Sequence, residues 1–526
     1  MKLPVFLAGL TVIAAVTILA ALAADPMGPT SPLVMFSWIS VWWLSLAALS
    51  AAARRSGYGK VFWFLPSTWL ALSPVLQFYL PLISYYFGWH TISDLAVLTR
   101  MDEALGLWTL STIMIAVGCA FVEPRALLLR GLVELPRWIA NRREHLKMFG
   151  RAAAILLIAG IAARLVVGGF SAAELQTTLR VSGETTIENS RITMLVVPFL
   201  TLGTCLYALR YAMLRRVGLP TQRAFIAFGF AVLVTGAYNI ILGSRGGVLY
   251  AVAPCILIIL LISSARAQRP RLVSILIFAL TGAILLQASD VVRGLTSLVS
   301  LQIARGSISF GDLLHSYIDL LINPTVVEQG NALENFTARM GTGWVLTRLL
   351  DSPGAFGDLH FWSFLRVYSV SFPTSISPWD AFIPYPTQEQ IPDLGYIAAQ
   401  TMLGFPGAGI AVPPQAEMFW RFGVWGMPVA SLVWGISLGV VFRLWTRLSP
   451  VLGLFVCCYF ALPLMLAETG WQVFASIVRQ PLMLLAALHF AQYWSVFVVR
   501  HRVTLSPAHV PLRTRTPRRN LRMDRL

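Results

Sequence analysis

The chain has 526 residues, of which 57% are hydrophobic and only 12% are charged. Because about 25% of the residues in a soluble protein are charged, this composition excludes a set of soluble globular domains and predicts an integral membrane protein. The net charge of +17 lies mainly in short segments between apolar runs, so it indicates membrane topology rather than nucleic-acid binding.

Twelve apolar runs have about the length of 20 residues that is needed to span a bilayer. In chain order they cover 4–24, 33–53, 61–87, 104–122, 152–170, 192–209, 224–242, 247–263, 272–288, 423–442, 449–467 and 473–499. Three prolines in the third run predict a kink there. The first run ends in small residues and resembles a signal peptide, but its length favours a retained helix. Cleavage would leave the other spans unchanged.

The basic residues define the orientation of these spans. When the segments between the runs are assigned alternately to the two sides, most of the 40 lysine and arginine residues fall on one side. By the positive-inside rule this side is the cytoplasm, and the even number of spans puts both termini there. Residues 123–151, which are basic and partly apolar, are predicted to form an amphipathic helix at the inner leaflet. The five cysteines lie in apolar runs and are interpreted as small buried side chains.

The outer loop 289–422, between spans 9 and 10, is too long and too aromatic for a simple connection. Helical patterns near 311–322 and 328–351 predict a folded, partly helical periplasmic cap. The predicted fold class is therefore an all-α polytopic membrane protein with about 12 transmembrane helices. Its regions are a transmembrane bundle of helices 1 to 9 (1–288), the cap (289–422), transmembrane helices 10 to 12 (423–499) and a basic cytoplasmic tail (500–526).

The apolar runs contain no acidic residue at mid-span, whereas coupled transporters usually carry ionisable groups at the membrane midplane. The sequence also contains no P-loop, no HExxH pattern and no metal-binding Cys/His spacing. These observations argue against an ion-driven pump, and they predict chemistry without a bound metal or another cofactor.

The segment Leu242–Gly247 (LGSRGG) lies at the predicted outer face, where the eighth span begins. A helix N-terminus presents unpaired N–H groups and the positive end of the helix dipole. Gly246 and Gly247 allow close approach of a ligand, and Arg245 adds a two-pronged donor. This combination predicts a diphosphate-binding site. The alternative is an ordinary helix start, with Arg245 extended to the membrane interface.

A second segment, Pro413–Gly426 (PPQAEMFWRFGVWG), leads from the cap into the tenth span. Its two prolines predict a helix start, with Glu417 in the first turn. Glu417 is a candidate general base that faces the outer cavity. The alternative is structural, because a carboxylate in the first turn favours the helix dipole and pairs with Arg421 at i,i+4.

These two segments and the long outer loop between them resemble the bacterial oligosaccharide repeat-unit polymerases, also called O-antigen or Wzy-like polymerases. The resemblance covers nearly the whole chain. It implies a GT-C-like, metal-independent glycosyltransferase in the bacterial inner membrane, with donor and acceptor glycans carried on undecaprenyl diphosphate. A flippase and a chain-length regulator are the implied partner proteins. The family's glycine-flanked arginine corresponds to Arg245 and its glutamate to Glu417. Trp420 and Arg421 stand where many members have a small or amide residue.

Other outer-loop residues complete the predicted site. The guanidinium fork matches phosphate geometry, so the candidate diphosphate ligands besides Arg245 are Arg421, Arg293, Arg305, Arg339 and Arg366. Extension to the membrane interface is the alternative for Arg293 and Arg305. His360 is the second candidate base after Glu417.

The predicted function is polymerisation of O-antigen, capsule or exopolysaccharide repeat units at the periplasmic face. One alternative is an O-antigen ligase-like transferase, which passes the same donor to a different acceptor. The alternative from another class is a lipid-linked oligosaccharide flippase, against which the folded cap and the lack of mid-span acids count.

Overall fold

The structure is a computed structural model that describes residues 32–79, 100–141, 143–168, 187–241, 245–263, 343–352, 401, 412–466 and 470–505. Within these residues the secondary structure is helical and includes no strand, which confirms the predicted α-helical class. The predicted spans 4–24 and 272–288, most of the cap and most of the tail lie outside the described residues.

The first described helices fall in the predicted second to fourth spans. They are α1 (Pro32–Arg55), a 3-10 helix (Gly59–Phe64), α2 (Pro66–Pro74), a π-helix (Val75–Tyr79) and α3 (Met101–Val122). Pro66 is the first residue of α2, where its missing N–H would have no helical partner, and Pro74 is the last. In the third span the helical backbone is interrupted at the extended residue Leu65, directly before Pro66, and it changes from α- to π-helix after Pro74.

The middle of the chain forms longer helices. They are α4 (Arg125–Asn141), α5 (Arg143–Gly168), α6 (Ile187–Val217), α7 (Gln222–Ile241) and α8 (Arg245–Ser263). The start of α8 agrees with the predicted helix start at LGSRGG. In α4, Leu128, Leu135 and Ile139 are buried on one face, and Arg130 and Glu134 pair on the exposed face. This helix is therefore amphipathic, as predicted for residues 123–151.

The C-terminal part begins with a helix of the predicted cap. Its helices are α9 (Gly343–Asp351), α10 (Pro414–Leu448), α11 (Pro450–Tyr459), α12 (Ala461–Leu466) and α13 (Gly470–Leu505). The predicted span 449–467 is not one continuous helix, because α11 ends at Tyr459 and α12 begins at Ala461. Pro463 explains the break, since a proline ring clashes with the carbonyl four residues earlier.

Helices α3 and α10 form the central pair of the bundle. These two are the helices in the described part of the chain that are long and apolar enough to cross a membrane. The Ser111 and Ser431 hydroxyls are 2.6 Å apart. A methyl group at Gly435 would lie 2.1 Å from the Ile115 carbonyl oxygen, and one at Gly118 would lie 2.3 Å from that of Leu432. Small residues thus bring the two backbones into contact, which is typical of membrane helices.

Gly435, Ser437 and Gly439 form a GxSxG pattern, which in α/β-hydrolases marks a nucleophilic serine on a strand-to-helix turn. Here the pattern lies inside α10, and Ser437 Oγ donates to the Val433 carbonyl at 2.9 Å. The glycines serve helix packing, and Ser437 has the hydrogen bond of an ordinary helical serine.

Segments that are predicted to be cytoplasmic meet at one end of the bundle. Arg216, near the end of α6, donates to the Ile262 carbonyl of α8 at 2.9 Å and to the Leu132 carbonyl of α4 at 2.6 Å. Gly131 of α4 packs against Pro450, the first residue of α11. We call this the basic end, because the segments that meet there are rich in Arg and Lys.

Candidate functional site

Helix α10 is bent at Gly423. The φ of +65° and ψ of −172° at this residue interrupt the helical backbone, and a residue with a Cβ rarely adopts such a φ. A methyl group at Gly426 would lie 2.6 Å from Cβ of Phe422, which reflects the tight bend. Helix α10 therefore consists of a short arm (residues 414–422) and a long arm (residues 424–448).

The short arm reaches into the middle of the bundle. Gln415 Nε2 donates to Thr112 Oγ1 at 3.0 Å, while Ser431 of the long arm contacts the adjacent residue Ser111. A straight helix would separate residues 415 and 431 by about 24 Å along its axis. Because both contact the middle of α3, the chain must turn back at Gly423. The start of the short arm is buried, whereas Trp425 beside the bend is 92% exposed.

Glu417 and Arg421 form an ion pair within the short arm. Arg421 Nε and Nη2 lie 2.8 and 2.7 Å from Glu417 Oε1, and the two side chains are only 4% and 3% exposed. The predicted i,i+4 pairing is thus present, but it lies in the interior instead of on a surface. An exposed helix pair contributes about 0.3–0.5 kcal/mol. Removing one partner of a buried pair costs about 3–5 kcal/mol, because a charge stays buried without compensation.

This pair gives the site a fixed carboxylate. Two guanidinium contacts to one oxygen define the orientation of the Glu417 side chain, and the first turn of a helix favours negative charge. A carboxylate oriented in this way can accept a proton from a hydroxyl group. Arg421 therefore contacts Glu417 directly, as the i,i+4 spacing predicted.

Polar side chains line the middle of α3 at the level of the short arm. The Thr109 hydroxyl lies 3.4 Å from the Tyr79 hydroxyl, and Gln77 of the π-helix donates to the Leu466 carbonyl. Oε1 of Gln77 and Oε1 of Gln415 are buried and have no hydrogen-bond partner among the described residues. A buried acceptor without a donor costs about 1–3 kcal/mol, so both amides favour a substrate hydroxyl or an ordered water.

Sequence reasoning missed Gln77, Thr112 and Gln415. A signal was present, because Gln77 and Thr112 are polar residues inside the predicted spans 61–87 and 104–122. Hydroxyl and amide side chains in such spans hydrogen-bond across helices. Gln415 lies in the singled-out segment Pro413–Gly426, but its partner is 303 residues away in the chain, and only packing reveals it.

The predicted diphosphate segment lies far from the basic end. Helix α8 begins at Arg245 and contacts Arg216 through Ile262, near its other terminus. The 17 residues from Arg245 to Ile262 correspond to about 26 Å along the helix axis. The backbone of Arg245, Gly246 and Gly247 is therefore at the end of the molecule that is predicted to be periplasmic. The Arg245 side chain lies outside the described part of the structure.

The described part of the cap contacts both α3 and α10. Arg100 Nη1 donates to the Leu350 carbonyl at 2.8 Å, and the Thr347 hydroxyl lies 3.4 Å from Met101 Sδ, so α9 packs on the start of α3. Among the residues that the structure describes, no group of His, Cys, Asp or Glu could hold a metal ion. The remaining predicted site residues lie outside the described residues: His360, Arg293, Arg305, Arg339 and Arg366.

The chain matches no protein-family model, no curated protein and no solved structure. The resemblance to the repeat-unit polymerases therefore rests on the two short segments and on the long outer loop.

Proposed function

We propose that this protein is a polytopic inner-membrane glycosyltransferase that polymerises oligosaccharide repeat units carried on undecaprenyl diphosphate at the periplasmic face. The observation that carries this proposal is the buried Glu417–Arg421 pair, on a short arm that turns back into the bundle. Well-packed apolar residues often stabilise a protein as much as a buried ion pair does. A catalytic role of Glu417 explains why a charged pair, and not apolar side chains, is buried in the short arm.

In the proposed reaction, Glu417 accepts the proton of the acceptor sugar hydroxyl, and the hydroxyl oxygen attacks the anomeric carbon of the donor. The bond between that carbon and the diphosphate oxygen breaks, and the lipid diphosphate leaves with the electron pair. Arg421 orients Glu417, while the amides of Gln415 and Gln77 accept hydrogen bonds from other hydroxyls of the acceptor. Inversion at the anomeric carbon is expected from the resemblance.

The leaving diphosphate needs stabilisation of its negative charge. The N-terminus of α8 supplies N–H groups and the positive end of a helix dipole, and Arg245 adds a guanidinium. The outer-loop arginines (Arg293, Arg305, Arg339 and Arg366) are further candidates for this role, and His360 is a second candidate base. This set supplies charge stabilisation with protein groups alone.

The test is complementation of a strain that lacks the gene, with surface and lipid-linked glycans analysed on gels. We expect Glu417→Gln to abolish chain extension and to leave single repeats on lipid. The matched control is Glu123→Gln, because Glu123 is also buried and its carboxylate also pairs with an arginine, Arg125, at 2.8 Å. Since Glu123 follows the last residue of α3, whereas the short arm contacts the middle of this helix, this variant should make normal polymer.

Glu417→Gln leaves Arg421 buried without its carboxylate, so the membrane level of each variant must be measured by immunoblot. The double variant Glu417→Gln/Arg421→Gln removes both charges, and we expect it to insert at close to the normal level and to make no polymer. Normal polymer from the double variant would contradict a catalytic role. Lipid-linked polymer in the deletion strain would identify a ligase, and the absence of sugar transfer by purified protein in detergent would favour a flippase.

A further inference from the structure

A cavity of about 270 Å³ lies near the basic end, far from the Glu417 site. Helices α4, α5, α6, α11 and α13 surround it, and most of its lining is apolar, including Phe149, Leu206, Phe455 and Leu485. Its volume is slightly below the range of about 300–1,000 Å³ that is typical of small-molecule pockets. The cavity therefore suits one flexible chain better than a bulky rigid ligand.

The polar groups of this cavity lie toward one end. On α13, His489 and Gln492 follow the apolar Leu485 in the direction of the C-terminus, and Ser449 precedes the apolar wall of α11. Arg210 is one helical turn beyond Leu206 on the same face of α6. The same end of α6 leads to Arg216, which bonds α4 and α8 at the basic end. The cavity is thus apolar toward the membrane interior and polar toward the basic end.

Arg210 lies next to this polar edge, since the neighbouring residues Leu206 and Leu209 line the cavity. A methyl group at Gly150 would lie 2.6 Å from Arg210 Nη1, so the guanidinium packs against α5 beside the cavity residue Phe149. The Nε atom of Arg210 is buried and has no hydrogen-bond partner among the described residues. The described lining of the cavity includes no carboxylate. A partly buried guanidinium next to an apolar cavity favours an anion that carries an apolar chain.

We propose that this cavity binds one anionic phospholipid of the inner leaflet. An acyl chain occupies the apolar part, and Arg210 binds the phosphate beside His489 and Gln492. Basic pockets between membrane helices on the cytoplasmic side are suited to anionic headgroups, and phosphate is the group that the guanidinium fork matches. The inference rests on the predicted orientation in the membrane, but it does not depend on the glycosyltransferase activity.

The test uses the purified full-length chain in detergent, titrated with dioleoyl phosphatidylglycerol or with dioleoyl phosphatidylcholine. Bound lipid is counted by native mass spectrometry. We expect one phosphatidylglycerol to bind at least tenfold more tightly than phosphatidylcholine, and Arg210→Gln to remove this preference. The control Arg130→Gln changes an exposed arginine of α4 and should retain it. Inorganic phosphate should not compete, because it lacks the acyl chain.

A second variant tests the apolar part. Leu485→Trp fills the cavity and should abolish the tightly bound lipid, although Arg210 is retained. Equal affinity for the two lipids, or an unchanged affinity in the Leu485→Trp variant, would overturn the proposal. If Arg210→Gln does not fold, Arg210→Lys retains the charge and should still prefer phosphatidylglycerol, with weaker binding. None of these measurements involves sugar transfer, so their failure leaves the proposed function untouched.

Discussion

Two buried carboxylates, Glu123 at the end of α3 and Glu417 in the short arm of α10, are paired with arginine, but their surroundings differ. Oε2 of Glu123 accepts the Ser67 N–H at 3.3 Å, in the first turn of α2, and Oε1 accepts from Arg125 Nε. Glu123 therefore caps a second helix and joins it to α3. Glu417 pairs within its own arm, four residues from Arg421, and this arm lies beside amide oxygens that have no donor among the described residues. Glu123 thus connects two helices, whereas Glu417 lies on the same arm as the Gln415 amide oxygen, which has no donor among the described residues.

Burial gives Glu123 a predictable effect on stability. It raises the pKa of the Glu123 carboxyl above its usual value, although the bonds from Ser67 and Arg125 oppose the shift. The folded protein therefore holds this proton more tightly than the unfolded chain does. The contribution of Glu123 to the free energy of unfolding is therefore complete below the pKa of the unfolded chain, which is about 4.3. This contribution is lost as the pH rises through the pKa of Glu123 in the folded protein.

We therefore expect the Tm of the wild type, relative to that of Glu123→Gln, to decrease as the pH rises from about 4 to 7. Scanning fluorimetry of both purified proteins in one detergent over this pH range measures the difference. The comparison with the Gln variant removes the contributions of all other titrating groups. A difference that is constant with pH, or that grows as the pH rises, would contradict the raised pKa.

Substitutions of Arg245 distinguish the effect of its positive charge from the effect of its planar guanidinium geometry. If Arg245 binds the diphosphate, Arg245→Lys retains the charge but loses the planar fork, so the amount and length of polymer should decrease clearly. Arg245→Ala should lose about 2–4 kcal/mol of transition-state stabilisation, as does removal of an oxyanion donor. Gel analysis of polymer at equal membrane level measures both. Arg130→Ala, on the exposed face of α4, is the control. Near-normal polymer from Arg245→Ala would exclude this site.

At the scale of the helix, glycine and proline define where elements bend, end and touch. Pro414 begins the short arm of α10, Gly423 bends the helix, and Gly435 brings its long arm onto the backbone of α3. Each effect has a separate cause: a missing N–H, a positive φ, and a missing Cβ. Together they allow one continuous segment to supply both a packed membrane helix and a buried polar arm.

The contact between α3 and α10 predicts a strong effect of a small substitution. Gly435→Ala would place a methyl group 2.1 Å from the Ile115 carbonyl oxygen, so the two helices must separate. We expect a loss of about 1–3 kcal/mol, seen as a lower Tm in detergent. Gly229→Ala is the matched control, because a methyl group there meets no atom within 4 Å inside α7. The control should be neutral or stabilising by about 0.5–1 kcal/mol. Equal Tm values of the two variants would contradict the close helix contact.

The whole molecule separates apolar from basic surface. Large apolar side chains are exposed on the sides of the bundle, for example Phe121 at 76% and Leu233 at 70%. Such residues are common in contact with lipid, and a soluble protein rarely exposes them in large contiguous patches. Arg216 bonds two other helices at the basic end, while α9 packs at the start of α3. Among the described residues, different segments of the chain thus meet at the two ends of the bundle.

This arrangement predicts which cysteines an external reagent can reach. All five native cysteines are buried and unpaired, so they give little background. Ser352→Cys, at the exposed end of α9, should react with a membrane-impermeant maleimide in intact spheroplasts. Arg137→Cys, on the exposed face of α4, should react only after the membrane is permeabilised. Labelling of residue 137 in intact spheroplasts would show that the predicted orientation is wrong.

The sequence by itself determined the features that depend on neighbouring residues. These features are the helical class, the interruption before α2, the amphipathic α4 and the helix starts at Arg245 and Pro414. They all follow from periodicity, proline and glycine within a few positions. Even the Glu417–Arg421 pair was predicted, because i,i+4 neighbours meet on any helix.

Only the tertiary structure decided where these elements lie. Gly423 is the glycine of α10 that takes the positive φ, because Gln415 of the short arm packs against Thr112 of α3. These two residues are 303 positions apart in the chain. The burial of Glu417, and therefore the large cost of removing one charge, follows from that fold-back and not from local sequence. The same is true of the lipid-sized cavity, whose walls come from separate helices. Burial and long-range contacts are properties of the assembled bundle, so local patterns could not specify them.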